Sequence, residues 1–389
     1  MKIGYAQNVI TPSLERPVFL AGFGNDRRAK TIHDELFARV LAIQSDQITL
    51  VFASLDLIGL FDPDLSDILR QVNRPDIQIV ISSTHTHHGP DTAGLWGPDH
   101  KTRGVDLEYM SAIKKKTVDT VIASLSGLKE ASVKWTSVQV PGLVKNARNP
   151  EIIDNELTLA QFIGMDNKPL ATMVNFPCHP EVLWEHNPHI TSDYVGYLRD
   201  GVEKQTGAPC IFFAGALGGM MTPNVRDHSF EEAESMGRKL AEEGLSALCA
   251  VDSESLPAIS ARKREIRAKL TNLLYKIAFW QKLLPDVRDK KGYVHTEVNL
   301  IKIGGLWLAT VPGELLPKLG LEIKSRLLDA GAQTAGVIGL ANGWFGYILP
   351  IEDFKYPWNP FEPGAHYEET NSIGKEIGPK VLEGIESLL

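Results

Sequence analysis

The sequence predicts an α/β protein, a layered domain with a mixed β-sheet flanked by helices. Apolar runs of strand length alternate along the chain with segments that have helical periodicity, which is the pattern of layered α/β domains. Two pairs of strand-like runs are separated by short turns, and such hairpins place antiparallel neighbours in the sheet. A hydrophobic content of 43% and a charged content of 23% are typical of a globular protein with a substantial core.

The predicted strands are short apolar runs, four of which pair as hairpins around turn sequences. The turns are Asp166-Asn167-Lys168-Pro169 and Gly304-Gly305. The strands cover residues 48–55, 77–81, 157–163 with 170–175, 210–213, 298–303 with 306–311, and 336–340.

The predicted helices carry apolar residues three and four positions apart. The first of them follows Asp62-Pro63, which is suited to a helix start. The helices cover residues 64–72, 107–125, 194–205, 231–248, 316–328 and 373–388.

Residues 1–389 are expected to form a single catalytic domain, because no repeat, low-complexity tract or linker divides the sequence. Residues 261–291 stand apart as a predicted basic helical excursion. Their many Lys and Arg residues are interleaved with Leu273, Leu274, Ile277, Phe279 and Trp280. We favour an excursion that packs its apolar stripe on the core, and the alternative is a basic helix that touches a membrane surface or a partner.

Charge and composition limit the partners and the compartment. A formal net charge of −8 argues against a nucleic-acid binder, which needs a cationic surface. The three cysteines form no CxxC pair and are interpreted as reduced thiols. No apolar run is long enough for stable membrane insertion and no signal peptide is recognisable, so a cytoplasmic location is expected. The sequence does not specify an oligomeric state.

A histidine-rich segment, Ser82-Ser83-Thr84-His85-Thr86-His87-His88-Gly89-Pro90, directly follows the predicted strand 77–81. Residues two apart in extended chain point the same way, so His85 and His87 can face one centre while His88 faces elsewhere. Neutral imidazole is a common zinc ligand, and two on one edge can begin a metal site. A solvated or hydrogen-bonded histidine cluster is the alternative.

Three further candidates also follow predicted strands: His179, Glu314 and Tyr347. Glu314 is expected at the start of a helix, where the positive end of the helix dipole stabilises its charge. Taken singly, they also fit a buried histidine, an ordinary first-turn glutamate and a packed aromatic ring. Because all of them come after strands, we hypothesise that they converge at one rim of the sheet.

A series of short motifs runs in order through most of the chain. They are Ile3-Gly4 through Ile10-Thr11-Pro12, Ile32-His33, Phe37-Ala38-Arg39, the histidine-rich segment, Asn146-Ala147-Arg148-Asn149-Pro150, Ser192-Asp193-Tyr194, Thr222-Pro223-Asn224, Val311-Pro312-Gly313-Glu314 and Asn342-Gly343-Trp344-Phe345-Gly346-Tyr347. In this order they resemble the neutral/alkaline non-lysosomal ceramidases, zinc amidases that cleave the N-acyl bond of ceramide.

The resemblance implies a role for each matching residue. One zinc ion would be bound by His85, His179, Glu314 and Tyr347. His87 would lie beside the metal and polarise the substrate carbonyl or shuttle a proton, and the Tyr347 hydroxyl or His87 would help to stabilise the oxyanion. The expected substrate-binding residues are Arg148, Thr222 and Trp344.

The function implied is a zinc-dependent hydrolase that cleaves a linear amide bond through metal-activated water. Gly219 is followed by Met220-Met221 where the family has a polar residue, and His88 replaces a small serine. The family's C-terminal β-sandwich-like domain is also expected to be absent. These departures favour a small-molecule or lipid-like acyl amide that is smaller or more polar than ceramide. The alternatives are a zinc-dependent esterase or lactonase, and a non-catalytic metal- or lipid-binding relative.

Overall fold

A computed structural model of the protein describes residues 1–354 and 367–389. The strands within these ranges are β1 (Lys2–Val9), β2 (Thr31–Ile32), β3 (Phe37–Gln44), β4 (Thr49–Leu55), β5 (Ile77–Ser83), β6 (Lys129–Gln139), β7 (Val144–Asn146), β8 (Glu156–Gly164), β9 (Pro169–Phe176), β10 (His189–Ile190), β11 (Cys210–Ala214), β12 (Met221–Pro223), β13 (Ile259–Lys269), β14 (Tyr293–Ile303), β15 (Leu306–Thr310), β16 (Glu314–Leu315), β17 (Thr334–Ile338) and β18 (Tyr347–Ile348).

The helices of the same ranges are α1 (Asp62–Val72), α2 (Leu107–Ser126), α3 (Tyr194–Thr206), α4 (Phe230–Cys249), α5 (Leu273–Trp280), α6 (Pro317–Asp329), α7 (Tyr367–Thr370) and α8 (Ile377–Glu386), with a 3₁₀ turn at Ile351–Asp353. Among these described helices, none is both long enough and apolar enough to cross a bilayer.

The larger sheet contains eight strands in the order β11-β9-β8-β6-β1-β3-β4-β5. Its β9–β11 and β4–β5 pairs are parallel and its other pairs are antiparallel. Helices α2, α3 and α4 pack against it. The predicted α/β class with a mixed, helix-flanked sheet is therefore confirmed, as are the hairpins β8–β9 and β14–β15.

A second sheet of four strands has the order β13-β14-β15-β17 and lies against the first one. Phe213 of β11, Ile301 of β14 and Leu308 of β15 belong to one buried cluster that joins the two sheets. Helices α6 and α8 cover this second sheet. Burial of the apolar surface between the sheets removes it from water and holds the two layers together.

The larger sheet curls so that its two edges meet. Strands β11 and β5 lie at opposite ends of the strand order and nevertheless contact each other. The Ser54 hydroxyl of β4 donates to the Phe212 carbonyl of β11 at 2.5 Å. The Phe52 and Phe213 rings of the same two strands lie 6.0 Å apart. Accumulated strand twist produces such curling, and it brings the segments after β5 and β9 to one place.

The prediction of a helical excursion at residues 261–291 is wrong for the first third of that segment. Residues 259–269 form the edge strand β13, which pairs with β14 along its whole length, and only Leu273–Trp280 is helical. Buried Ile266 and Ala268 alternate with exposed Arg267 and Lys269, which is the period of a strand. Charged residues on an edge strand also discourage pairing with other chains.

A buried ion pair fixes α3 to the larger sheet. The two terminal nitrogens of Arg199, Nη1 and Nη2, donate to the Asp56 carboxylate at 2.8 and 2.9 Å, and both side chains are almost fully buried. We expect Asp56→Ala to lower the free energy of unfolding by about 3–5 kcal/mol, because it leaves a buried cation unpaired. Urea denaturation measures this change. Glu234→Ala removes the exposed partner of Arg238 and should change stability by less than about 1 kcal/mol. Equal effects of the two variants on the free energy of unfolding would contradict the stabilising role of the Arg199–Asp56 pair.

Candidate metal centre

Three buried histidines from two distant segments come together. His85 and His87 follow β5, and His179 follows β9. One ring nitrogen of each lies within 4.8 Å of those of the other two, so the group could hold a metal ion. The ring centroids are 5.1 Å apart for His85–His87 and for His85–His179, and 5.5 Å apart for His87–His179.

The Glu314 carboxylate completes a tight set of ligand atoms. Its Oε2 lies 3.5 Å from Nε2 of His85 and 3.5 Å from Nε2 of His179. Zinc ligands at about 2.0–2.1 Å in a tetrahedron lie roughly 3.3 Å from one another. The two distances from the carboxylate oxygen to the imidazole nitrogens are therefore close to those of a zinc site.

Backbone carbonyls orient two of the imidazoles. Nδ1 of His85 lies 2.5 Å from the Ile58 carbonyl oxygen, and Nδ1 of His179 lies 3.0 Å from that of Met221. A carbonyl oxygen only accepts, so each Nδ1 carries a proton, and a ring in its neutral form presents its lone pair at Nε2. Burial lowers the pKa of His179, but the Glu181 and Glu314 carboxylates outweigh it and raise this pKa above its ordinary value. Metal-binding histidines commonly have such an outer partner.

Trp344 holds the Glu314 carboxylate. Its indole Nε1 donates to Oε1 of Glu314 at 3.1 Å, which leaves Oε2 facing the histidines. The indole stacks on the rings of Phe61 and Trp96, with centroids 5.4 and 6.3 Å away. Trp344 was expected to bind substrate; the structure shows it buried and in contact with Glu314.

Tyr347 is positioned beside Glu314 by strand pairing. The two short strands β16 and β18 are parallel, with Glu314 opposite Tyr347. The Tyr347 hydroxyl contacts Sδ of Met220 at 3.5 Å. The prediction that Glu314 lies at the start of a helix is wrong. Its backbone N–H donates to the Gly346 carbonyl, so Glu314 belongs to strand β16, and α6 begins only at Pro317.

The electrostatics of the centre follow from burial and proximity. Burial opposes ionisation of Glu314, but His85 and His179 outweigh it and hold the pKa of this carboxyl well below its ordinary value. Burial, followed by the neighbouring imidazoles, holds the pKa of His87 well below its ordinary value. Burial and the Glu314 carboxylate raise the pKa of Tyr347. At neutral pH this gives an anionic carboxylate, a neutral His87 and a neutral phenol.

Several buried polar atoms of the centre lack a hydrogen-bond partner among the described residues. They are both ring nitrogens of His87, Nε2 of His179, Oε2 of Glu314 and both carboxylate oxygens of Glu181. A buried polar atom without a partner costs about 1–3 kcal/mol. A cation would satisfy the lone pairs of His179 and Glu314 at once, so these residues fit a zinc ion.

Glu181 is a member of the centre that the sequence analysis missed. It is fully buried, and its Oε2 lies 3.3 Å from Nδ1 of His87 without the alignment of a hydrogen bond. Burial raises its pKa, and His179 opposes that shift. The signal was present in His179-Pro180-Glu181, which repeats the two-residue spacing of His85 and His87.

His88 points away from the centre, with its Nε2 3.4 Å from the Asp193 carboxylate.

The other expected substrate residues, Arg148 and Thr222, lie on neighbouring segments. Thr222 is buried in β12, which pairs with β7 just before Arg148. Nη1 of Arg148 donates to Glu368 at 2.6 Å and to Glu369 at 2.9 Å. The guanidinium therefore joins this loop to α7.

Backbone geometry around the histidines is unusual. His85 has φ of +69°, which is uncommon for residues other than glycine, and such strained positions cluster at functional sites. Gly22 has φ of +79°, and a Cβ there would lie 2.4 Å from Nδ1 of His87. Glycine is therefore required where this loop passes the ring.

The fold matches that of solved ceramidase structures. Neutral ceramidase from Pseudomonas aeruginosa has a TM-score of 0.78 and 18% sequence identity, over 100% of this chain and 74% of that one. A ceramidase complexed with C2 has a TM-score of 0.79 and 17% identity, over 100% and 75% of the two chains. No protein-family model and no curated protein matches the sequence. The chain has a neutral ceramidase-like fold, which the ordered motifs predicted.

Proposed function

We propose that the protein is a zinc-dependent hydrolase that cleaves the N-acyl amide bond of a small or lipid-like substrate. The observation that carries the proposal is the convergence of His85 Nε2, His179 Nε2 and Glu314 Oε2 at 3.5 Å contacts. Each of these side chains is held by another contact on its far side. The ceramidase-like fold is consistent with this chemistry.

In this proposal His85, His179, Glu314 and Tyr347 hold one zinc ion. Zinc, when bound, supplies a Lewis acid that polarises a carbonyl and brings the pKa of water near 7. Tyr347 is a neutral phenol at working pH, so its hydroxyl can donate a hydrogen bond to the developing oxyanion.

His87 is proposed to move the proton. A neutral imidazole accepts a proton from the attacking water and passes it to the amine that leaves, and its low pKa keeps it neutral before the reaction. Glu181, 3.3 Å from Nδ1 of His87, orients the ring and stabilises the cation that forms. This arrangement leaves the Nε2 side of His87 for the substrate.

Thr222 and Arg148 are proposed to bind the substrate. Thr222 follows Met221, whose carbonyl orients His179, and its side chain is close enough to the Glu181 carboxyl to lower the pKa of that group. Arg148 contacts the substrate by giving up part of its pairing with Glu368 and Glu369. The contact between Met220 and Tyr347 narrows this side of the centre, which supports a substrate smaller or more polar than ceramide.

Chelation and matched substrates test the proposal. The protein as purified should hydrolyse short N-acyl amides, lose this activity after 1,10-phenanthroline treatment and dialysis, and regain it with one equivalent of zinc. Oxygen esters with the same acyl groups, measured in parallel, define the bond preference. A strong preference for the esters would assign an esterase or lactonase instead. Bound zinc without turnover of any acyl substrate would leave only a metal-binding role.

The contact between Trp344 and Glu314 gives a further prediction. Trp344→Phe keeps an aromatic ring between Phe61 and Trp96 but removes the donor to Oε1 of Glu314. We expect zinc affinity to fall about 10–100-fold, the usual effect of losing an outer-shell partner. Competition with a zinc-binding dye measures this affinity. Trp307→Phe, on β15, is the matched control, and equal affinities of the two variants would contradict the role of Trp344.

A further inference from the structure

Helix α5 is apolar on opposite sides, and one of these sides is uncovered. Tyr275, Ala278 and Phe279 pack against the core of the second sheet. Leu273, Ile277 and Trp280 lie on the other side, at positions i, i+4 and i+7, and are 66%, 39% and 82% exposed. Single exposed apolar residues are common on protein surfaces, but several large ones grouped on one helix face are typical of an interaction site.

The surroundings of this face are basic. Residues 270–291, which hold α5 and the segment after it, contain five Lys and Arg against two Asp, a formal charge of +3 in a chain of −8. Lys276 lies on α5 itself and Lys282 follows its end, while Lys290 and Lys291 lie in the turn before β14. In the described part of the chain, none of these four lysines forms an ion pair. Their charge is therefore available to an anionic partner.

The inner face of α5 is tied to the candidate metal centre. The Tyr275 hydroxyl donates to the Asn371 carbonyl at 3.1 Å, and the same carbonyl accepts the backbone N–H of Tyr347 at 3.0 Å. Phe279 lines a narrow cleft together with Trp344 and Phe345. Two hydrogen bonds to one carbonyl therefore connect Tyr275, on the inner face of α5, with the backbone of Tyr347.

We propose that α5 docks the protein on the surface of an anionic phospholipid bilayer. Its eight residues are too few to span a membrane, so the helix lies in the plane of the interface with Leu273, Ile277 and Trp280 among the headgroups and upper acyl chains. Trp280 has the amphipathic ring that favours this depth, and the surrounding lysines are attracted to anionic headgroups. The proposal goes beyond the hydrolase activity and does not depend on it.

Vesicle co-sedimentation tests the proposal. The full chain should bind vesicles of phosphatidylcholine with about 30% phosphatidylglycerol and bind pure phosphatidylcholine vesicles more weakly. Ile277→Ser with Trp280→Ser should lower the partition constant at least about tenfold, because it removes most of the apolar area that enters the bilayer. Lys276→Glu with Lys282→Glu should weaken binding to the anionic vesicles alone.

The control is Met165→Ser with Leu256→Ser, two residues that are 82% and 84% exposed elsewhere on the surface, and it should bind like the original protein. Absence of vesicle binding, or equal loss in the control, would overturn the proposal. A dimer in solution that the Ile277/Trp280 variant converts to a monomer would also overturn the proposal, because the outer face of α5 would then bind a second copy of the chain. Hydrolysis of a soluble short-chain amide should be unchanged in the α5 variant, which keeps this test separate from that of the metal centre.

Discussion

Replacement of His179 by alanine is expected to abolish zinc binding and to lower kcat/KM at least about a thousandfold, or about 4 kcal/mol of transition-state stabilisation. The imidazole is fully buried and its Nε2 faces Glu314 Oε2 at 3.5 Å. No described side chain other than those of the centre is placed to replace it. Elemental analysis of the purified variant and turnover of a short N-acyl amide measure the two effects.

Two further variants make this result specific. Glu314→Gln keeps the shape of the side chain but removes the charge, and it should also lose zinc. His186→Ala changes a histidine whose side chain is 91% exposed, and it should keep both zinc and activity. Circular dichroism verifies that each variant is folded. A folded His179→Ala protein with full activity would remove His179 from the centre.

Replacement of His87 by glutamine is expected to leave zinc in place and to lower kcat about 10²–10⁴-fold, the usual contribution of a general acid or base. Glutamine fills similar space and forms hydrogen bonds, but it cannot accept and return a proton near neutral pH. One ring nitrogen of His87 lies within 4.8 Å of a ring nitrogen of each of the other two imidazoles, so zinc content and kcat must be measured on the same sample.

The zinc content distinguishes two roles for His87. Retained zinc with slow turnover supports proton transfer, whereas loss of zinc would make His87 a ligand and leave the proton without an acceptor. His100→Gln, at an exposed position, is the matched control and should leave both quantities unchanged. The comparison matters because geometry alone allows either three histidines or two histidines and Glu314 around one ion.

Local elements were predictable because their signals are local. The hairpins β8–β9 and β14–β15 follow from apolar runs around short turns, and α3 and α4 from apolar periodicity. Strand β13 was misjudged because four consecutive charged residues, 262–265, interrupt its apolar positions and leave too few of them to separate a period of 2 from one of 3.6. Its strand state is fixed by pairing with β14, a contact that periodicity does not register.

The convergence of the centre could be hypothesised from the sequence but not established by it. His85 follows β5, at one end of the sheet order, and His179 follows β9, which is next to β11 at the other end. They meet because the sheet curls until β11 contacts β5, and curling is the sum of small twists over eight strands rather than a property of any segment. The resemblance to ceramidases supplied the grouping that spacing lacked.

The contacts that support the metal-centre residues could not be predicted from the sequence for a similar reason. The Ile58 and Met221 carbonyls that orient His85 and His179 carry no side-chain signature. The Trp344 bond to Glu314 joins a loop to a two-residue strand, which no periodicity marks. Contacts of this kind become visible only once the loops are folded against one another.

Anomalous X-ray diffraction at the zinc absorption edge, on crystals of the protein as purified, tests the central claim most directly. The account predicts a single strong peak at about 2.0–2.2 Å from Nε2 of His85, Nε2 of His179 and an oxygen of Glu314, with the Tyr347 hydroxyl as the fourth protein ligand. Absence of a peak there, in crystals grown with zinc, or a peak at other residues, would contradict it.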